Sequence, residues 1–310
     1  MTVTYEVDAS GRETVGLKER RGKRYSICGP DVKHHECDRI RIRSANWHLT
    51  TKCNYNCKFC FSRKLDAEIK NLKIAEEVLK KLVDIGIEKI NFAGGEPLLH
   101  PLFLPIIRMA KDMMFAVSII SNGYYLNRDT ISKLSPYVDW IGLSVDSTYE
   151  EVEVALGRGN GNHVKHITAI ADIVHCTGVK LKINTTVTRM NYAENMRPLL
   201  KKLMPERWKA FQVLHITGQN DRYFNELSIT DKEFDYFKSI NQDCIEEMGP
   251  VFERNTDMID SYFMLSPRGM VMSNRNGNYS LTPLDNIDEQ TISQLLDVRK
   301  YAERGGIYPW

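Results

Sequence analysis

Cysteine is scarce in this 310-residue chain, seven residues in all, and the number is odd. Cys28, Cys37, Cys176 and Cys244 stand apart from one another, which excludes the dense disulfide framework of a small secreted domain. Charge of one sign is lacking too: 42 Lys plus Arg face 40 Asp plus Glu, a net of +2. A duplex-coating protein shows a basic face or stripe, so no direct nucleic-acid binding is expected, and an anionic partner must be met by cations gathered locally. No apolar run reaches bilayer-spanning length, and the N-terminal stretch up to "KRYS" holds no signal-peptide core. The expectation is a cytoplasmic protein with no membrane attachment. Low-complexity linkers and internal repeats are also missing. What is there is an ordinary globular balance, 42% hydrophobic, in a chain long enough for one large domain or two small ones.

From about residue 45, β-rich runs alternate with helical ones. Strands are expected at "ANWHLT", "EKINFAGG", "FAVSIISNG", "VDWIGLSVDS", "KLKINTTV" and "KAFQVLHI". Helical patterns lie between them, at "DAEIKNLKIAEEVLKKLVDIG", "LFLPIIRMAKDM", "DTISKLS", "HVKHITAIADIVHC" and "NMRPLLKKLM". A later helix starts at Thr230, where Thr230 and Glu233 have capping-box spacing. Six such alternations imply a parallel sheet with right-handed crossovers, either open or an incomplete barrel. Several strands alternate in polarity. Asn46, His48 and Thr50 oppose Trp47 and Leu49; Lys89 and Asn91 oppose Ile90 and Phe92; Ser144 and Asp146 oppose Leu143 and Val145; Lys182 and Asn184 oppose Leu181 and Ile183. Alternation alone fits a sheet with one solvated face as well as a barrel with a polar lumen. The intervening helices favour the lumen, and the sixth strand follows the parity less cleanly.

The stretch "CNYNCKFC" gathers Cys53, Cys57 and Cys60 on the loop after the first strand, at the strand end where barrel active sites are built. A closed zinc site wants four ligands, whereas an iron–sulfur cubane held by three cysteines leaves one iron open. His34, His35 and Cys37 in "HHEC" are the nearest source of a fourth zinc ligand, although Cys-x3-Cys-x2-Cys is an unusual zinc spacing. A zinc-binding, non-enzymatic module therefore stays as one alternative. At the end of the second strand comes "NFAGGEP".

The cysteine motif and "NFAGGEP" together resemble the radical S-adenosylmethionine enzymes. From about Asn46 to Trp310 the chain further resembles the viperin family, through "CNYNCKFCF", "GIEKINFAGGEP", "SIISNG", "LGRGNGNHV", "KINTTVTRMN", "RWKAFQ", "DSY" and "RGGIYPW" in that order. The resemblance implies a partial (βα)6 TIM-like barrel with a C-terminal extension: residues 1–44 an N-terminal extension, 45–218 the core, 219–310 the part completing a nucleotide site. It implies that Cys53, Cys57 and Cys60 hold a [4Fe-4S] cluster. Phe59 then lies by the adenine of S-adenosylmethionine, Gly94, Gly95 and Glu96, with Pro97, meet its methionine part, and Ser121, Ser144 and Arg158 complete that site. Asn46, Lys89, Lys182, Asn184, Arg207 and Lys209 fall at nucleotide-contacting positions, and Tyr262 near the reacting sugar.

The implied reaction dehydrates a ribonucleoside triphosphate to its 3′-deoxy-3′,4′-didehydro form through a 5′-deoxyadenosyl radical, for antiviral defence. CTP is favoured, with UTP or GTP next, and the electrons come from a flavodoxin or ferredoxin. The amphipathic membrane helix of animal viperins is missing from the first 45 or so residues, so a soluble, prokaryote-type member is expected. "SPRGMVMSNRNGNYS" departs from the animal pattern, which leaves base recognition open. The rival enzyme class is a radical maturase of a peptide or cofactor. It would carry further clustered cysteines in its C-terminal third, and none follows Cys244.

Overall fold

The computed structural model describes residues 4–7, 13–16, 41–244, 250–288, 291–306, 308 and 310. Two compact units divide the chain, Met1–Arg41 and Ile42–Trp310. In the first, β1 (Thr4–Val7) pairs antiparallel with β2 (Glu13–Gly16). Cys28, His34, His35 and Cys37, and with them the candidate zinc loop, lie outside the described residues.

The second unit is built on one sheet. Its centre is β3 (Ser44–His48), β4 (Lys89–Ala93), β5 (Ala116–Ser121), β6 (Trp140–Ser144), β7 (Lys180–Val187) and β8 (Arg207–Gln212). They pair in parallel and in chain order, and they are the six strands expected. The crossovers carry α1 (Leu72–Asp84), α2 (Phe103–Asp112), α3 (Arg128–Leu134), α4 (Glu150–Leu156), α5 (His163–His175) and α6 (Arg197–Leu203). After β8 come α7 (Asp221–Leu227) and α8 (Asp231–Asn241).

The C-terminal third then adds a strand to each edge. β9 (Val251–Glu253) runs parallel to β8, and β10 (Met264–Leu265) runs parallel to β3. β11 (Val271–Ser273) and β12 (Ser280–Thr282) continue antiparallel beyond β10. The strand order runs from β12 to β9 without pairing of its ends, so the mostly parallel sheet is a partial barrel. Among the described residues no helix is long and apolar enough to cross a membrane.

Local chemistry sets the element ends. The helical pattern from Asp66 yields a helix only from Leu72, because the Asn71 side chain caps it by accepting from the Lys73 N–H at 2.8 Å. Asp66 itself is spent elsewhere, accepting from Ser266 Oγ at 2.6 Å and from the Arg268 N–H at 3.2 Å. The capping box at Thr230 and Glu233 is formed.

The strand parity resolves into two unlike faces. Trp47, Ile90, Phe92, Val117, Ile119, Ile141, Leu143, Leu181, Ile183 and Trp208 are buried on the outer one under the helices, each contributing about 1.5 to 3 kcal/mol for a full-sized side chain. The inner face is polar, but it is not a solvated surface: Lys89 is 0% exposed and Lys209 4%. The imperfect parity of the sixth strand also has its reason. Gln212, on the outer side, donates to the Ile229 carbonyl at 3.2 Å and accepts from the Asn255 N–H at 3.0 Å, joining β8 to the segments around it.

Candidate active site

The cysteine loop leaves β3 and is braced from two sides. From α4, the carbonyls of Gly157 and Leu156 accept from the N–H groups of Asn56 at 3.1 Å and Lys58 at 2.8 Å. From β4, the N–H groups of Gly95 and Glu96 donate to the carbonyls of Thr50 at 2.6 Å and Lys52 at 2.7 Å. The glycines of "NFAGGEP" are explained by this approach. A Cβ on Gly95 would stand 2.1 Å from the Lys52 carbonyl oxygen, and one on Gly94, whose φ is +142°, 2.5 Å from that of Thr50. A Cβ on Gly157 would meet the loop as closely, 2.3 Å from the Asn56 carbonyl oxygen.

Cys53, Cys57 and Cys60 are free thiols; Cys53 is exposed and the other two half-buried. Burial pushes the Cys57 thiol up to about 12, against the pull of the Arg158 guanidinium. Burial raises Cys53 as well, helped by Glu96 and Cys60, while the Tyr55 N–H and Asn122 Nδ2 donate to its sulfur at 3.4 and 3.6 Å.

Glu96 is fully buried and binds the end of β4 to the end of β5. Its carboxylate accepts from Ser121 Oγ and the Asn122 N–H, both at 2.9 Å, and from the Leu98 N–H at 3.3 Å. Burial lifts its pKa to about 7 in spite of those bonds. Arg158 is held between two acids, with Nε 2.7 Å from Asp146 and 3.6 Å from Glu153, and its guanidinium lies 5.5 Å from the Phe59 ring centre. The Ser144 carbonyl accepts from His163 Nε2 at 2.8 Å. All the positions expected around S-adenosylmethionine thus sit on the loops and strand ends at one end of the sheet.

The opposite end of the lumen is cationic. Lys89 and Arg207 open β4 and β8, while Lys182 and Lys209 stand two residues further along their strands; Lys182 is in register with Arg207, and Asn184 with Lys209. Lys89 donates to Tyr308 Oη, and its ammonium lies 5.1 Å from the Trp140 ring and 5.3 Å from that of Trp310. Arg207 lies 3.8 Å over the Tyr308 ring and donates to the Gly305 carbonyl at 2.9 Å. Lys209 is ion-paired with Glu253 and donates to Tyr262 Oη at 3.1 Å; Tyr262 in turn donates to Glu253. Arg304 stacks 3.4 Å from the Tyr262 ring and donates to the Ser261 carbonyl.

Lys209 and Arg304 pair with one buried carboxylate, Glu253, while Lys89, Lys182 and Arg207 stand beside them, and burial and mutual repulsion show in the proton affinities of the lysines. Burial, with Arg207 next, lowers Lys89 to about 6; burial lowers Lys209 to about 8 against the pull of Glu253. Lys182 is driven well below its ordinary value by burial and by Lys209, Lys89 and Arg207, and it has no acidic partner within ion-pair distance among the described residues. Glu253 is held below the usual carboxylate range, since Lys209 and Arg304 outweigh its burial.

On the same inner face, buried polar atoms lack partners among the described residues: Asn91 Oδ1, Ser118 Oγ, Trp140 Nε1, Asn184 Oδ1 and Arg207 Nε. Leaving such groups unpaired costs about 1 to 3 kcal/mol each. A lumen this cationic and this short of partners is built for a polyanion with hydrogen-bonding groups. Of the candidates from the sequence analysis, those for the cluster and S-adenosylmethionine fall at the first end and Lys89, Lys182, Arg207, Lys209 and Tyr262 at the second, with Asn46 and Asn184 on the strands between. The residues it missed are Glu253, Arg304, Tyr308 and Asn122; Arg304 and Tyr308 lie inside "RGGIYPW", but Glu253 sits in a three-residue strand with no readable pattern.

The residues at the first end fit a cluster that leaves one iron open. Three thiols share one loop, and the glycine cradle keeps the neighbouring backbone close. The comparisons agree. The Radical SAM superfamily profile matches residues 47–203. An S-adenosylmethionine-dependent nucleotide dehydratase of a Thermoplasmatales archaeon is 38% identical over 272 residues, covering 87% of this chain and 97% of that protein. One from Flammeovirga pacifica is 35% identical over 284 residues, covering 87% and 96%. Among solved structures, native anSMEcpe with bound AdoMet superposes with a TM-score of 0.61 at 17% identity, over 84% of this chain and 82% of that one, which speaks for the fold alone. The chain is a radical S-adenosylmethionine enzyme and belongs to the S-adenosylmethionine-dependent nucleotide dehydratases, the viperin family.

Proposed function

We propose that this enzyme dehydrates a ribonucleoside triphosphate to its 3′-deoxy-3′,4′-didehydro form, with CTP favoured and UTP or GTP next, in the cytoplasm and in antiviral defence. The observation that carries the reading is the basic floor, Lys89, Lys182 and Arg207 beside the Lys209–Glu253–Arg304 cluster, beneath unpartnered polar atoms. Relatives named for nucleotide dehydration support it. Cys53, Cys57 and Cys60 hold the [4Fe-4S] cluster, and Phe59, Gly94, Gly95, Glu96, Ser121, Ser144 and Arg158 surround S-adenosylmethionine. Bound there, that pair supplies one-electron cleavage to methionine and a 5′-deoxyadenosyl radical that removes hydrogen from C4′ of the ribose.

The rest is positioning by the chain. Lys89, Lys182, Arg207 and Lys209 take the phosphates, and Asn46 and Asn184 offer hydrogen bonds above them. The length of β4 separates this floor from the cysteine rim by about 13 Å, so a nucleotide anchored by its phosphates turns its ribose toward the rim. Loss of the 3′-hydroxyl as water needs a proton on its oxygen and a second electron from the same external reductant, which closes the 3′,4′ double bond. Lys209 carries one at neutral pH, since its pKa stands at about 8, and it donates directly into Tyr262 Oη. Tyr262 is the group that hands a proton on, and Lys209 restores it. On this reading residues 45–218 form the cofactor end and 219–310 complete the nucleotide end through Glu253, Tyr262, Arg304 and Tyr308.

Incubating the reduced enzyme with S-adenosylmethionine and each triphosphate, then following the nucleotides by mass spectrometry, tests this. Loss of one water from CTP, with weaker or no reaction of the others, is expected. Formation of 5′-deoxyadenosine to the same extent with and without every nucleotide would overturn it.

A further inference from the structure

The proposed function needs an electron from outside the chain, and one surface beside the cysteine loop is shaped to receive its carrier. Asn56, Lys58 and Arg63 of that loop and Gln219, Asn220, Arg222 and Tyr223 of the segment entering α7 line a cavity of about 250 Å³. Both segments follow the C-terminal ends of strands, β3 and β8, so the cavity opens on the rim that carries the cysteines.

Its lining holds three cations, three amides and a tyrosine, and no acid. Lys58 and Arg222 lie 5.5 and 5.0 Å from the Tyr223 ring centre and form no ion pair among the described residues. Asp221, the acid next to Arg222, is turned away to His215 Nε2 at 2.7 Å and the Gly218 N–H at 2.8 Å. Arg63 donates to the Cys57 carbonyl and the Asn56 side chain, so a lining residue is bonded directly to the backbone of a candidate cluster ligand. The floor is kept rigid by Gln219, which accepts from the Lys64 N–H and donates to the Lys64 carbonyl, both at 2.7 Å, and by Asn220 Nδ2 on the Phe59 carbonyl at 3.1 Å.

We infer that this cavity and its rim, Lys58, Arg63 and Arg222, dock the acidic face of a small protein electron donor of the flavodoxin or ferredoxin class. The inference rests on the proposed radical chemistry. Electron transfer weakens steeply with distance, so a donor must seat near the cysteines, and a cationic rim of this kind speeds encounter with an acidic partner and fixes its orientation. In the step itself the donor loses one electron and the group held by Cys53, Cys57 and Cys60 gains it; no atom changes place.

The test uses a flavodoxin with bound oxidised FMN as the probe and measures its binding to the holoenzyme by calorimetry at low and high salt. The variants are Arg222→Glu and Lys58→Glu, with Arg222→Gln as the milder form. Each reversal should weaken binding by about tenfold or more, Gln by less, and the salt dependence should shrink with each charge lost. Formation of 5′-deoxyadenosine driven by dithionite, which needs no docking, should stay at the parent level in Arg222→Glu. Flavodoxin binding within twofold of the parent in both reversals, or binding of the parent that is insensitive to salt, would overturn the docking surface. A parent enzyme that forms no 5′-deoxyadenosine with dithionite would count against the proposed function instead, and the calorimetry would still read the surface on its own.

Discussion

At the residue scale, the two ends of the lumen use side chains in opposite electrostatic ways. Burial resists ionisation of Cys53 and Cys57, pushing Cys57 up to about 12. A bound cationic cluster reverses that balance, because thiolate is its ligand form. Replacing Cys53, Cys57 and Cys60 together by Ala should abolish iron–sulfur absorbance and 5′-deoxyadenosine formation; a full iron content in the triple variant would refute their role. Lys89 and Lys182 are the mirror case, bases kept short of protons until an anion arrives. Removing a charge-assisted hydrogen bond costs about 1.5 to 3 kcal/mol. Lys182→Ala or Arg207→Ala should therefore weaken triphosphate binding by roughly ten- to a hundredfold, leaving S-adenosylmethionine binding intact. Titration calorimetry with each ligand separates the two effects, and normal triphosphate binding in both variants would remove the clamp.

At the element scale, the site depends on loops stitched by backbone rather than by side chains. The turn after β4 lies so close to the cysteine loop that Gly95 has no room for a methyl group, 2.1 Å from the Lys52 carbonyl. Gly95→Ala should displace one loop or the other, at a stability cost of about 1 to 3 kcal/mol, and lower the iron bound per chain. Thermal unfolding and iron analysis measure the two losses, and unchanged iron would mean that the loops tolerate separation. The same logic separates what could be read from what could not. "CNYNCKFC" and "AGGEP" were legible as strand-end loops because each follows a β-rich run, and only the two together pointed to one kind of site. That they are bonded to each other was not legible, since Thr50 and Gly95 are far apart in sequence and meet through atoms every residue has. β9 and β10 escaped notice for a related reason: three and two residues long, they are too short to show a period, and pairing with β8 and β3 alone makes them strands.

At the scale of the whole molecule, gathering these cations in one lumen makes proton binding and nucleotide binding a single equilibrium. The folded pKa of Lys89 is lowered from 10.5 to about 6 and that of Lys209 to about 8. The unfolded chain therefore binds more protons across that range, and stability of the ligand-free protein should rise with pH between about 6 and 10 from these groups. A triphosphate favours the protonated lysines, so its binding takes up protons and should weaken as pH rises through the same window. Melting curves from pH 6.5 to 9 with and without CTP should show ligand stabilisation shrinking as pH increases. Calorimetry in two buffers of different ionisation enthalpy reads the proton uptake directly. A pH-independent CTP affinity would mean that these lysines are already charged in the empty lumen.

The sequence by itself determined the order of strands and helices from residue 45, the polar and apolar parity of the inner strands, the three-cysteine loop and the cations that had to meet somewhere. These are local properties, set by side-chain period and by the chemistry of a few residue types. The tertiary structure decided that the alternating strands enclose a lumen, since only the helices packed on one face make the other an interior. It also decided that Glu253 and Tyr262 join Lys209, and that Arg304 and Tyr308 join Arg207. Residues up to about a hundred positions apart came together there because β9 and β10 pair onto the two edges of the sheet and carry the C-terminal chain to the floor of the lumen, and edge pairing is written in backbone hydrogen bonds that no side-chain pattern records.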